Sequence, residues 1–217
     1  MVAACARQDG IIRLHAADQD MRSEFAIHAP ILPDHEAPWS NYVRGVAFAL
    51  LADGLALAGA DIAIAGDVPQ GAGLSSSASL EVAVGLALAA MAGQPDYDRT
   101  RLAMAGQRAE HEFAGCHRGI MDQLVSAHGV VGHATLIDCR SLAVSPIAMP
   151  DDWAVLIVHS GQQRGLVDGA YNERRENCEA AARHFGLGAL RDIDLPTLMA
   201  AQSGLEPLVF VRARHVV

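Results

Sequence analysis

Apolar and polar residues alternate over residues 11–16, Ile-Ile-Arg-Leu-His-Ala, and again over 24–28, Glu-Phe-Ala-Ile-His. That period predicts a pair of strands, with nothing regular upstream of them. After a loop holding Pro30, Pro33 and Pro38 the period lengthens, and Tyr42, Val43, Val46, Leu50 and Leu51 predict a helix from Ser40 to Ala58. Alternation returns at Asp61-Ile62-Ala63-Ile64-Ala65, a strand, and gives way to helical spacing at Leu80, Val84, Ala87, Leu88 and Met91. A second helix is predicted over Arg99–Phe113 with Leu102, Ala105, Ala109 and Phe113 inside, then a short one between Gly119 and Gly129. Three strand-like runs follow, His133–Asp138, Leu142–Met149 and Trp153–His159. From Gly165 the pattern is helical: a charged segment Asp168–Phe185, then Leu195–Gln202 and Leu205–Val217. The last pattern is still running at the final residue. No internal repeat and no low-complexity linker interrupts the series.

The stretch between the 61–65 strand and the helix after it concentrates the chemistry. It reads Val-Pro-Gln-Gly-Ala-Gly-Leu-Ser-Ser-Ser-Ala-Ser-Leu-Glu from Val68 to Glu81. Gly71 and Gly73 remove side chains where a ligand could approach the backbone. Ser75, Ser76, Ser77 and Ser79 bring hydroxyls and free N–H groups to a helix N-terminus, whose dipole favours an anion. One serine is enough for a cap, and three in succession lower helix propensity in the first turn without structural gain. The stretch has the makings of a phosphate cradle.

Composition narrows what such a cradle can do. The chain has 217 residues, is 51% hydrophobic and carries a net charge of -9. It is long enough for a sizeable core. Asp53, Gly54 and Asp61 break the best candidate for a membrane-length apolar run, and no basic, apolar leader opens the chain. The expectation is a soluble, cytoplasmic protein. The acidic balance argues against nucleic acid or an anionic membrane as partner. Cys5, Cys116, Cys139 and Cys178 are scattered, with no zinc-like spacing, and read as reduced thiols. All 16 basic residues are arginine. The absence of lysine excludes a Walker-type loop, a Schiff-base lysine and the lysine of a protein kinase. Phosphate chemistry here has to use backbone, hydroxyls, arginine and metal.

Two carboxylates stand downstream of the cradle, Glu110 on the 99–113 helix and Asp122 at the start of the glycine-bracketed one. Taken alone, they read as an exposed helix charge and a dipole-complementing acid. Together with the motif Pro-x-Gly-x-Gly-Leu-Ser-Ser-Ser-Ala-Ser-Leu-Glu-Val at Pro69–Val82 and Gly-Ile-Met-Asp-Gln at Gly119–Gln123, the chain resembles the galactokinases, members of the GHMP small-molecule kinases. The runs 39–45, 136–142 and 171–175 with Cys178 are similar to the same family, so the likeness extends over essentially the whole chain.

The resemblance implies an α+β GHMP kinase fold, with an incomplete N-terminal domain of the ribosomal protein S5 domain 2-like type over 1–154. The start of the C-terminal domain would follow over 155–217. It implies ATP-dependent phosphorylation of α-D-galactose at its C1 hydroxyl, with ATP and Mg²⁺ as cofactors and galactose as the sugar. Carried over by position, Pro69, Gly71, Ala72, Gly73, Leu74, Ser75, Ser76, Ser77, Ala78 and Ser79 would hold the nucleotide phosphates, and Trp39 and Tyr42 would lie towards the adenine. Ser77 and Glu110 would ligate Mg²⁺, Asp122 would be the catalytic group on the sugar hydroxyl, and Gly119, Asp122 and Tyr171 would touch galactose. The family's N-terminal arginine and Glu-His-x-Asp-Tyr run and its C-terminal glycine-rich loop have no counterpart here. The expectation is therefore a chain cut at both ends, inactive by itself and a monomer when full length. The alternatives are a non-catalytic nucleotide- or sugar-binding relative and a sister kinase acting on a sugar such as N-acetylgalactosamine.

Overall fold

The computed structural model describes residues 1–158 and 169–217. Contacts divide the chain into two compact units, residues 1–167 and 168–217.

In the first unit β1 (Val2–Arg7), β2 (Ile11–Ala16), β3 (Met21–Ala26) and β4 (Gly59–Ile64) form one sheet in the order β1-β4-β2-β3. The expected strand pair is an antiparallel hairpin with Ile12 opposite Phe25. β4 runs parallel to β2, Leu14 facing Ile62, so the chain must cross over between them through β3 and α1 (Asn41–Ala52). β1 lies antiparallel to the other edge of β4 and was not expected from the sequence. Its Val-Ala-Ala-Cys-Ala-Arg has no alternation, and four of its six residues are exposed. Alanine is a weak strand former, and the β4 edge rather than local pattern makes this strand.

One face of the sheet is covered by α1, α2 (Ser76–Met91), α3 (Arg99–Glu112) and α4 (Met121–His128). Ile12, Leu14, Phe25 and Ile62 from the sheet share a core with Val43, Val46, Leu50, Val84, Leu88, Leu102 and Leu124. α1 stops six residues before the expected Ala58. Gly54, at φ +89, turns the chain, its N–H bonds Leu51 O at 3.0 Å and the Leu55 N–H bonds Leu50 O at 3.0 Å. This satisfies the last carbonyls and buries Leu55 against the core. α1 and α3 approach closely at Gly45, where a Cβ would stand 2.6 Å from the Ala109 Cα.

Arg44, on the inner side of α1, fastens the proline loop. Its Nη2 donates to Asp34 Oδ2 at 2.9 Å, Glu24 O at 3.0 Å and Ser23 Oγ at 3.1 Å, and its Nε donates to Ser40 Oγ at 3.0 Å. Asp34 accepts in addition from the N–H groups of Glu36 and Ala37. A buried guanidinium is tolerable only when its donors are met in this way.

β5 (His133–Asp138) and β6 (Ala143–Ala148) form a separate antiparallel hairpin, close to the expected bounds. The third expected strand is not formed over Trp153–Val158, which has no regular structure and is exposed. An apolar run has strand propensity, but a strand needs an edge to pair with, and this run has none among the described residues. Its last residue, His159, lies outside them.

The second unit packs α5 (Gly169–His184), α6 (Leu195–Ala200) and α7 (Pro207–Val216) around Ala181, Ala182, Leu190, Leu198, Phe210 and Ala213. Asp168, the expected start of α5, lies outside the described residues. α6 and α7 each open with a carboxylate cap, Asp194 accepting from the Thr197 N–H at 2.9 Å and Glu206 from the Val209 N–H at 3.0 Å.

Candidate active site

The Pro69–Ser75 turn leaves β4 and enters α2 with its backbone in the left-handed region at Gly71 (φ +69), Gly73 (φ +77) and Ser75 (φ +58). The first two are cheap for glycine, whereas Ser75 is strained there by about 1–2 kcal/mol. Pro69, Gly71 and Gly73 are exposed, and Ala72, Leu74, Ser75, Ser76, Ser77 and Ser79 are half-buried. No side chain caps α2, although Ser75 is its N-cap residue, so no hydroxyl competes for the N–H groups of its first turn. Ala78 alone of this stretch is fully buried, and it anchors the turn to the core side.

Ser77 Oγ donates a 2.7 Å hydrogen bond to Oε1 of Glu110, in the last turn of α3. Glu110 is 3% exposed. Its surface-charge reading from sequence therefore gives way to a buried carboxylate aimed at the first turn of α2. The Arg118 carbonyl accepts from Gln107 Nε2 at 3.1 Å and lies 2.8 Å from His111 Nε2, which holds the connection from α3 to Gly119. Asp122 follows, half-buried in the first turn of α4.

Around Glu110 the sequence reading missed a cluster. Glu81, 1% exposed, accepts from Gln123 Nε2 at 3.0 Å. Burial, then the Glu110 carboxylate, push the Glu81 carboxyl well above the ordinary range, against the pull of the Gln123 bond. Tyr42 is pushed up to about 12 by burial and then by Glu110 and Glu81. That places the Tyr42 phenol in the electrostatic neighbourhood of the carboxylates. Trp39 packs half-buried against the main core. Gly119 is exposed beside α4, while Tyr171 belongs to α5 of the second unit.

A serine oxygen and a carboxylate oxygen are hard ligands of the kind Mg²⁺ takes, and 2.7 Å between them is close to the ~3 Å separation of adjacent ligands in an octahedral Mg²⁺ site. No group of three or more His, Cys, Asp or Glu suited to a metal occurs among the described residues. Two protein ligands are the usual number where substrate phosphates and waters complete the shell. The pair therefore fits Mg²⁺. Among the described residues no helix is long and apolar enough to cross a membrane.

Residues 41–130 match the family described as GHMP kinases N terminal domain, a span that holds the turn, Glu110 and Asp122. The chain is similar to the galactokinase of Lactococcus lactis, solved with galactose, with a TM-score of 0.86 and 27% identity over a match that covers 100% of this chain. The chain spans 57% of the length of that protein. It also shares its fold with the mevalonate kinase of Methanococcus jannaschii, at a TM-score of 0.51 and 20% identity, over 58% of this chain and 40% of that one. Residues 41–130 thus match the GHMP kinase N-terminal domain family, and the chain that carries them has a galactokinase-like fold.

Proposed function

We propose that this chain carries the phosphate- and metal-binding part of a galactokinase, an enzyme that transfers the γ-phosphoryl group of ATP to the C1 hydroxyl of α-D-galactose, and that it is inactive by itself. The observation that carries the reading is the Ser77–Glu110 pair standing at the end of an uncapped helix that follows a glycine turn. The likeness to a galactokinase solved with galactose supports the choice of sugar. Residues 1–154 would form the N-terminal domain and 155–217 the beginning of the C-terminal one.

In this reading the backbone N–H groups from Gly71 to Ser79 hold phosphate oxygens, where they and the helix dipole offset negative charge without a lysine. Ser77 and Glu110 would hold Mg²⁺, which would supply charge neutralisation on the phosphates. Asp122 accepts the hydrogen bond of the sugar hydroxyl and takes its proton late, as phosphoryl transfer asks mainly for positioning. Gly119 leaves backbone open for the sugar beside it, and Trp39 and Tyr42 line the way to the adenine.

The test has two arms. Calorimetric titration of the chain with ATP should show saturable binding that needs Mg²⁺ and disappears in the Ser77→Ala, Glu110→Gln double variant. The protein as its native host makes it should release ADP in response to galactose, and Asp122→Asn should lower that rate about 10²–10⁴-fold. Mg²⁺-independent binding indifferent to the double variant, or no response to galactose, would overturn the reading.

A further inference from the structure

A polar pair lies buried one helical turn below the proposed metal ligands, and the phosphoryl-transfer reading makes no use of it. Gln123 is 0% and Glu81 1% exposed, and Gln123 Nε2 donates to Glu81 Oε2 at 3.0 Å. The pair connects α2 to α4 across 42 residues of sequence. α3 makes room for it. At Gly106 a Cβ would stand 2.9 Å from Glu81 Oε2 and 3.1 Å from the Gln123 Cγ.

The spacing along the helices is what ties this pair to the site. Glu81 lies four residues after Ser77 on α2, Gly106 lies four residues before Glu110 on α3, and Gln123 directly follows Asp122 on α4. On a helix, residues four apart lie above one another on the same face. Two cross-links are therefore stacked, Ser77 to Glu110 above and Glu81 to Gln123 below, with Gly106 between the lower two side chains.

A carboxyl and an amide buried here are costly as mere packing. Glu81 Oε1 and Gln123 Oε1 have no hydrogen-bond partner. A leucine or methionine of similar volume would avoid leaving two oxygens unmet. Both orphaned oxygens belong to the same pair, and one proton on Glu81 Oε1 would meet both by donating to Gln123 Oε1. An acid and an amide then join at two points. The charged and titratable groups that face Glu81 are Glu110 from α3 and Asp122 from α4, which oppose its ionisation, the Tyr42 phenol from α1, and Arg118, the cation that favours ionisation along with the Gln123 bond.

We propose that the buried Glu81–Gln123 pair is a positioning device that locks α2, α3 and α4 in register, so that Ser77, Glu110 and Asp122 converge on one point. Glu81 is then not a third metal ligand. The proposal rests on the kinase reading for what is positioned, and not for the pairing itself.

The test uses Glu81→Gln, Glu81→Leu and Gln123→Met, with Mg²⁺-dependent ATP affinity and the infrared spectrum as readouts. A glutamine at 81 can still donate and accept at both points, so this variant should bind Mg²⁺ and ATP within about twofold of the parent. Glu81→Leu and Gln123→Met should stay folded by circular dichroism but lose about tenfold or more, as groups that orient metal ligands do. At neutral pH the parent should show a protonated carboxylic-acid C=O stretch that is missing in Glu81→Gln. Rescue by glutamine together with that band supports the proposal. Wild-type affinity in Glu81→Leu, a loss in Glu81→Gln as large as in Glu110→Gln, or an absent acid band overturns it. A parent chain that binds no Mg²⁺ and ATP refutes the kinase reading instead, and the infrared band alone then decides the pair.

Discussion

The Ser77 hydroxyl and the Glu110 carboxylate, 33 residues apart in sequence, meet at 2.7 Å where the first turn of α2 faces the last of α3. Neither residue has an evident structural need for the other. Ser77 caps nothing, and an apolar residue at 110 would suit a site that is 3% exposed. Glu110→Gln keeps the shape and a hydrogen bond but removes the charge that a divalent cation needs. Its affinity for ATP in the presence of Mg²⁺ should fall by about tenfold or more, while its melting temperature should hold or rise because a desolvated charge is gone. Titration in EDTA should reduce the parent to the level of this variant. An unchanged affinity would remove Glu110 from the metal site.

Arg44 and Asp34 supply a second test, of stability rather than chemistry. The Arg44 side chain is 10% exposed and that of Asp34 24%, and the same arginine also meets Ser23, Ser40 and the Glu24 carbonyl. Arg44→Leu strands Asp34 and should cost about 3 kcal/mol in urea unfolding, near the low end for a broken buried pair because Asp34 keeps some contact with water.

The same pair sets an expectation for acid. The Asp34 carboxyl is held below its ordinary range by the Ala37 and Glu36 N–H groups, and then by Arg44. A carboxyl with a lowered folded-state value adds stability above its unfolded value of about 3.9 and loses it as pH falls through the folded one. Urea midpoints measured from neutral pH down through that range should therefore fall more steeply for the parent than for Asp34→Asn. Parallel curves would show that Asp34 is not held this way.

What could be read from the sequence was local. The β2–β3 hairpin, α3 and β5 follow their periods closely, and the serine run announces the α2 turn because hydroxyls and glycines are chemically distinctive whatever surrounds them. The missed features depend on partners. β1 has no pattern of its own and exists because β4 offers an edge. α2 is apolar on nearly every side: of the expected face Val84 and Leu88 are buried and Leu80 and Met91 pack half-buried against the core, but the buried line also takes in Ala78, Glu81, Val82, Gly85 and Ala89. A signal was available there. Glu81 stands three residues after Ala78 and four before Gly85, a charged residue in a row of small and apolar ones. The period alone carries α1 six residues too far, because Asp53-Gly54, a helix stop, ends it at Ala52.

Close helix packing gives a further prediction. At Gly45 a Cβ would stand 2.6 Å from the backbone of Ala109, and a helix backbone cannot yield as a flexible side chain would. Gly45→Ala should therefore destabilise by about 1–3 kcal/mol despite its better helix propensity, because overpacking outweighs the propensity gain. Gly188→Ala is the control, since nothing lies within 4 Å of its would-be Cβ. It should leave the urea midpoint within error of the parent. Equal effects at the two positions would mean that α1 and α3 can separate at little cost.

The run Trp153–Val158 bears on how the chain behaves in solution. Val155, Leu156, Ile157 and Val158 are 74%, 85%, 65% and 77% exposed, so four consecutive apolar side chains face water. A segment with high strand propensity and no charge after Asp152 is a template for pairing with another chain. Light scattering of the purified chain should therefore rise with concentration, and the double substitution Val155→Lys, Ile157→Lys should suppress the rise. Because both side chains are exposed, the thermal midpoint should not move. A parent that stays monodisperse at every concentration would show that this run is covered in solution. A double variant that melts early would show instead that it contributes to the core.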